Sequence, residues 1–434
     1  MTTPSSVPKE NPIAVYVGLD WADQQHVICW QAVGSTQVET ATVRQRPEEL
    51  QAWVAQLRSR FPEGLIAIAL EQSRGPVIAA LMHYDILRLY PINPKSLARY
   101  REAFYSSGAK DDPNDAALLL DLLVKHQERF SPWVPDDALS RQLALRVEHR
   151  RRLVDLQTQL THQLRSHLKL YFPQALDWVG ELDTLQACDF LQRWPRLEAV
   201  QKARTTQLEK FYTGHHCRRP QLIQQRIEQI RQAQPLSQDT ALVAACSSMV
   251  LALVALVRDV ICRLQQWQQE ISQLFAQHPD QALFASFPAA GPVFAPRLQA
   301  AFGSRRDRFS SAQQILQFSG VAPVTQKSGK SHQVHRRWAR PKFLHQSFVE
   351  FAALSIPHCD WARALYQQLR AGGQRHWAAI RMIAFKWIRI LFRCWKDRVP
   401  YDESKYLKSL ERRNPRLWVA TQQLAKQRPS QEAA

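Results

Sequence analysis

Two apolar runs, each ending on a carboxylate, constrain this chain more than any other feature. Ile13-Ala-Val-Tyr-Val-Gly-Leu-Asp20 and Leu65-Ile-Ala-Ile-Ala-Leu70-Glu71 carry no charge before their final acid, as expected of strands buried on both faces. His26–Trp30 begins a second strand-like run after a short polar turn, and Ile86–Tyr90 is a shorter strand closed by Pro91 and Pro94. Pro47–Arg58 sets Leu50, Trp53, Val54 and Leu57 three and four apart, a helical period, and Lys95–Tyr105 and Pro113–His126 read as further helices. Strands alternating with helices predict an α/β domain over 12–136 whose sheet is covered on both sides.

The pattern changes after Asp137. Gln and Leu dominate to Gln277, and Leu143, Val147, Leu153, Leu156, Leu160, Leu164 and Leu168 recur at helical spacing, which predicts a helical or coiled-coil arm over 137–277. Within it Thr240–Val257 carries no charge and reaches the length at which a membrane span is considered. Its Ala and Ser content and its Gln-rich flanks favour a buried core helix, so no membrane partner is expected. A mainly helical region over 278–412 follows; its Trp377–Trp395 segment is apolar nearly all round and is expected to be buried, and 413–434 is expected to be a disordered tail.

With 434 residues the chain has room for two or three domains. Its 57 Lys and Arg against 38 Asp and Glu give a net charge of +19, while 45% hydrophobic residues place it among folded chains. A folded, strongly basic protein points to a polyanion, nucleic acid foremost. The seven cysteines are scattered and never spaced as CxxC, which argues against a disulfide scaffold or a zinc ribbon and fits a reducing cytoplasm. The N-terminus, Met1–Asn11, lacks the apolar core of a signal peptide. His215-His216-Cys217 has no second ligand pair at finger spacing and reads as ordinary surface or core.

Asp20 and Glu71 close two strands, and Lys110-Asp111-Asp112-Pro113-Asn114-Asp115 opens a helix. Such acids supply the hard oxygen ligands that Mg²⁺ takes, with positions left for water and substrate phosphate. Asp112 before Pro113 is equally a good helix cap, with Asp115 completing it, so spacing alone leaves capping and metal binding both open. Asp20 and Glu71 have the weaker structural excuse, because a carboxylate closing an apolar strand is costly to bury unless paired or metal-bound.

These residues resemble a family. Gly18-Leu-Asp-Trp-Ala-Asp23 with His26, Ala69-Leu-Glu71, and Lys110 through Asp115-Ala116 are similar to the DEDD transposases of bacterial insertion sequences, relatives of the Piv-type DNA invertases. The resemblance implies an RNase H-like, RuvC-type N-terminal domain in which Asp20, Glu71, Asp112 and Asp115 bind Mg²⁺; whether Asp111 or Asp112 is the ligand rests on the three-residue step to Asp115. The C-terminal third continues the likeness with Phe287-Pro-Ala-Ala-Gly-Pro-Val-Phe-Ala295, Ser319-Gly-Val-Ala-Pro323, Lys327-Ser328-Gly329-Lys330, Arg336-Arg-Trp-Ala-Arg-Pro-Lys-Phe-Leu344 and Phe385-Lys-Trp-Ile-Arg389. Ala289 stands where the family usually has glycine.

By that resemblance Ser328 is a nucleophile that forms a covalent phosphoserine link to DNA. Read from chemistry alone it is a serine in a basic loop, with Lys327, Lys330, His332 and His335 nearby in sequence as activating groups and Gly329 allowing close approach of a phosphate. Gly329-Lys330-Ser331 is not the end of a P-loop, because Val324 stands where the first glycine is required. Between Ser304 and Lys342 nine Lys and Arg, among them Lys327, Lys330, Arg336, Arg337, Arg340 and Lys342, face Asp307 alone, a net +8 and a phosphate footprint. A second strip, Arg141 to Lys169, reads as a solvated helix face or a contact. The resemblance further implies strand exchange on element ends and target DNA in a bacterial cytoplasm. It also implies a composite site in a homodimer or homotetramer and, in some members, direction by a structured guide RNA. The competing readings are a metal-dependent nuclease or junction resolvase in which water attacks, and a non-catalytic nucleic-acid-binding protein.

Overall fold

The computed structural model describes residues 12–71, 74–104, 112–329 and 331–427, with backbone alone at 104 and 112–114. The chain divides after Pro135 into two compact units.

The first unit contains β1 (Ile13–Asp20), β2 (Gln25–Ala32), β3 (Glu39–Arg44), α1 (Pro47–Arg60), β4 (Leu65–Leu70), α2 (Pro76–Leu81), β5 (Leu87–Pro91), α3 (Pro94–Phe104) and α4 (Asp112–His126). Its sheet is five-stranded in the order β3-β2-β1-β4-β5; β1, β2 and β3 run antiparallel, while β1, β4 and β5 are parallel. Side chains of β4 alternate between two layers, as a strand must. Ile66, Ile68 and Leu70 pack with α1 and α2, whereas Ala67 and Ala69 pack with α3 and α4. The sheet is thus covered on both sides. Small residues set how closely α4 approaches: a Cβ on Gly18 would lie 2.0 Å from the Ala116 carbonyl oxygen and 2.5 Å from the Leu120 nitrogen. Strand β3 is not evident in the sequence because it is an edge strand on which Val43 is the buried residue.

The second unit is almost wholly helical: α5 (Ala138–Tyr171), α6 (Ala175–Val179), α7 (Leu185–Arg193), α8 (Leu197–Gln201), α9 (Thr205–Gly214), α10 (Pro220–Gln232), α11 (Thr240–Ala276), α12 (Gln281–Ala285), α13 (Gly291–Phe302), α14 (Ala312–Phe318), the hairpin β6 (Val324–Ser328) and β7 (Ser331–His335), then α15 (Lys342–Ser355), α16 (Asp360–Ala371), α17 (His376–Asp397), α18 (Glu403–Arg413) and α19 (Pro415–Lys426). The arm and the C-terminal region cluster as one unit because α5 and α11 serve two cores. Leu143 and Val147 of α5 and Ile271 and Phe275 of α11 join α12–α19, while Leu160, Leu164 and Leu168 with Val250–Leu264 enclose α6–α10. The two long helices therefore run antiparallel. By length and composition α11 is apolar enough to cross a membrane. One face, from Cys246 to Leu264, is buried, and the other exposes Met249, Leu251 and Leu256.

Two expectations are corrected here. The segment expected to be a disordered tail is helical from Pro415: Asn414 caps it, its side chain accepting from the Leu417 nitrogen at 3.2 Å, and Leu417 and Thr421 are buried. Asparagine then proline is a helix start that the charged flank obscures. The Trp377–Trp395 segment is not buried all round. Trp387, Ile388, Leu391 and Trp395 are fully enclosed, but Trp377 is 61% and Met382 46% exposed.

Candidate active site

In the first unit, parallel pairing of β1 with β4 ends at Leu19 opposite Leu70, so Asp20 and Glu71 leave adjacent strands at the same carboxyl edge, about 4.8 Å apart in the pairing direction. That edge is where open α/β sheets bind ligands. The approach of α4 to Gly18 brings its first turn, with Asp112 and Asp115, beside β1 two residues before Asp20. His26 braces the turn after Asp20. Its ring is fully buried, Nε2 donating to Gln45 Oε1 at 2.6 Å and Nδ1 accepting from the Ala22 nitrogen at 3.3 Å, and burial pulls its pKa down.

Topology thus gathers the expected acids at one edge, but the side chains described there, those of Asp20, Glu71 and Asp115, do not form a ready cation cage. Asp115 is 1% exposed and is held by Arg101 of α3, whose Nε donates to Oδ1 at 2.9 Å with a second, shorter bond from Nη2. Among the described residues no group of three or more His, Cys, Asp or Glu could hold a metal. Asp111 lies outside the described residues and the Asp112 side chain is not described, so the choice between them and the expected cap fall there too. The donor chemistry suits Mg²⁺, with a guanidinium already neutralising one donor.

In the second unit Ser328 sits at the tip of the β6–β7 hairpin, opposite Ser331, with Gly329 at φ +53° opening the turn. Lys330 lies outside the described residues. Apart from half-buried Val324, the described hairpin residues are exposed. The register separates Ser328 from the bases that sequence suggested. Lys327 pairs with His332 on the face opposite Ser328. His335 shares the face of Ser328 but pairs with Val324, four residues away and so about 13 Å along the strand; it bonds Gln333 at 3.1 Å instead. Among the described residues nothing hydrogen-bonds the Ser328 hydroxyl, and the strand register places neither His332 nor His335 beside it. A second serine–histidine pair, Ser140 to His278 at 2.9 Å, is buried on both sides and has no substrate access.

The basic footprint divides by partner. Lys342 pairs with Asp155 at 2.8 Å, and Arg340 is packed over Gly320 and bonds the Arg337 carbonyl. Arg336 and Arg337 continue the segment, with the Arg336 guanidinium 4.8 Å over the ring of Trp338, which is 76% exposed. Charge and an exposed ring together suit nucleic acid. On α5 the structural reading prevails for Arg146 and Arg151, paired with Glu270 and with Asp155 and Glu350. Ala289 takes φ +63°, the left-handed conformation that glycine favours.

Family comparison decides what these parts belong to. A DEDD transposase family of IS110 type matches residues 17–173, and the Transposase IS116/IS110/IS902 family matches 281–367. The chain belongs to the IS110 family of transposases. It is 26% identical over 405 residues to the mini-circle putative transposase for IS117 of Streptomyces coelicolor, covering 91% of this chain and 97% of that protein. It is also 22% identical over 396 residues to the uncharacterized 43.6 kDa protein of insertion element IS110 from the same organism, covering 90% and 96%. A putative transposase of Sinorhizobium fredii is 27% identical over 210 residues, 47% of this chain and 57% of that protein. The two family matches fall on the two parts of this transposase described above: the first includes the acid-bearing edge of the sheet, the second the serine hairpin.

Proposed function

We propose that this transposase cuts and rejoins DNA by serine attack. The observation that carries the reading is the placing of Ser328 at the exposed tip of a two-stranded hairpin inside a segment of net charge +8. The Ser328 oxygen attacks a phosphorus, a phosphoserine ester forms, and the bond to one deoxyribose oxygen breaks, that oxygen taking up the proton the serine gives up. A deoxyribose hydroxyl of another strand then attacks the ester and returns the proton to Ser328, so bond number is conserved and the ends are exchanged. Asp20, Glu71, Asp112 and Asp115 are the residues that would hold Mg²⁺, which when bound neutralises phosphate charge. The mixed sheet with two acids at the ends of adjacent parallel strands supports the RNase H-like assignment of 12–136. Lys327, Lys330, Arg336, Arg337, Arg340 and Lys342 supply phosphate contacts. Direction by an element-encoded RNA and assembly as a homodimer or homotetramer complete the reading; the +19 charge supports a nucleic-acid partner, and the lack of a base beside Ser328 among the described residues supports a composite site.

That same lack favours a second reading, a metal-dependent nuclease or junction resolvase in which water attacks and Ser328 is idle. The test is to express the gene with its native flanking DNA in bacteria and amplify circular joints or insertions, comparing wild type with Asp20→Asn, Asp112→Asn and Ser328→Ala. Loss of junctions in all three supports serine exchange. Persistence of junctions in Ser328→Ala transfers the chemistry to water.

A further inference from the structure

Arginines from two elements meet beside the root of the hairpin: Arg340, from the loop after β7, packs on Gly320, and Arg381, from α17, lines one groove with the adjoining Val321 and Pro323. Burial first, and then Arg340, Arg336 and Arg381, lower the pKa of His345. Burial first, and then Arg336, disfavours the charge on Arg340 and on Arg381. Among the described residues none of the three has a carboxylate within ion-pair distance. The surface continues as a groove of about 1470 Å³ that begins at Val321 and Pro323, just before β6, and follows α17 past Arg381, Lys386, Arg389 and Arg393 to α18. Lys386 and Arg389 are also without an acid partner among the described residues, and half-burial together with Arg389 disfavours the ammonium of Lys386. The acids lining the groove stand at its far end and are engaged, Asp397 by Arg393 and Asp402 by Lys405. Phe385 and Met382 supply apolar lining between the cations.

A protein does not hold five like charges together, three of them half-buried, without cost. A chain of phosphates removes that cost, and apolar side chains between the cations give base faces somewhere to lie. We propose that the α17 groove, from the Arg336–Arg340–Arg381 cluster through Lys386 to Arg389, is a binding track for one single nucleic-acid strand, read through its phosphodiester backbone and leading to the hairpin that carries Ser328. The inference takes its ligand class from the reading above but not its chemistry at Ser328. The strand can be DNA opened near the exchange point or a looped RNA, which share the backbone that the groove reads.

The test is fluorescence anisotropy of the full chain with a mixed-sequence single-stranded DNA, the same sequence as RNA, and the DNA duplex, across a salt series. Lys386→Met with Arg389→Gln is expected to weaken single-strand binding about tenfold at 0.1 M salt and to lower the slope of log affinity against log salt by about 1.4. Arg389→Gln alone, at an exposed residue, carries about half of that slope change and guards against misfolding of the double variant. Arg218→Gln with Arg219→Gln, which removes the same charge from the helical lobe, leaves slope and affinity near wild type. A larger loss with one of the two single strands identifies the source as DNA or RNA. Equal effects of the groove and lobe variants, or a loss confined to the duplex, overturn the proposal while leaving serine exchange standing. Absence of nucleic-acid binding by wild type overturns both.

Discussion

Arg101 on α3 holds Asp115 on α4 by a 2.9 Å hydrogen bond from Nε to Oδ1 and a shorter one from Nη2, with the carboxylate 1% exposed. The acid proposed for metal binding is therefore already compensated by a cation. Removing the guanidinium leaves a buried charge unpaired, and Arg101→Ala is expected to cost about 3 kcal/mol. If Asp115 also serves Mg²⁺, millimolar Mg²⁺ restores part of the lost melting temperature in Arg101→Ala and shifts wild type less. Thermal unfolding with and without Mg²⁺ measures both; recovery that does not depend on the metal removes Asp115 from the ligand set.

Gly18 ties the sheet to α4. Its missing Cβ makes room for the Ala116 carbonyl oxygen, so Gly18→Ala forces α4 outward. A loss of about 2–3 kcal/mol in urea unfolding is expected from overpacking against backbone. A variant as stable as wild type contradicts the close packing of α4 on β1.

Ser328 and Ala289 separate function from stability. Ser328 is exposed, so Ser328→Ala is expected to stay within about 0.5 kcal/mol of wild type in unfolding while losing junction formation. Ala289 sits at φ +63°, and Ala289→Gly is expected to gain about 0.5–1 kcal/mol as the left-handed strain is relieved. A destabilised glycine variant refutes the strain.

Acid should loosen the second unit through His345. Burial first, and then the nearby arginines, push its pKa down from the usual 6.5 to about 4, and its Nδ1–H donates to the Ser319 carbonyl at 3.1 Å. The unfolded chain takes up this proton below about pH 6.5 and the folded chain only near pH 4, so the stability contributed is full above pH 6.5 and falls as pH drops through that window. Burial draws His278 the same way. Urea midpoints at pH 7.5 and 5 should differ, and less so in His345→Asn; an equal dependence in that variant assigns the effect to other groups.

How far the fold was legible depended on whether a segment's neighbours are near in sequence. Ile13–Asp20 and Leu65–Leu70 declare themselves as strands, because burial on both faces demands unbroken apolar side chains, and the helical period of α1, α4 and α5 is equally local. The edge strand β3 and the helix after Asn414 were missed, since most of their residues face solvent and only a few long-range contacts, such as those of Val43 and Leu417, hold them. The candidate acids were visible as residue types, and family likeness named them with Ser328.

What the amino-acid order determined alone is the inventory: buried strands closed by acids, long amphipathic helices, a basic serine segment and the family to which they belong. What the tertiary structure decided is who compensates whom. Pairing of Asp115 with Arg101, the separation of Ser328 from His332 across the pleat, and the convergence of Arg336, Arg340 and Arg381 each depend on side chains brought close by packing, and electrostatic partnership is set by distance in space and not by distance along the chain.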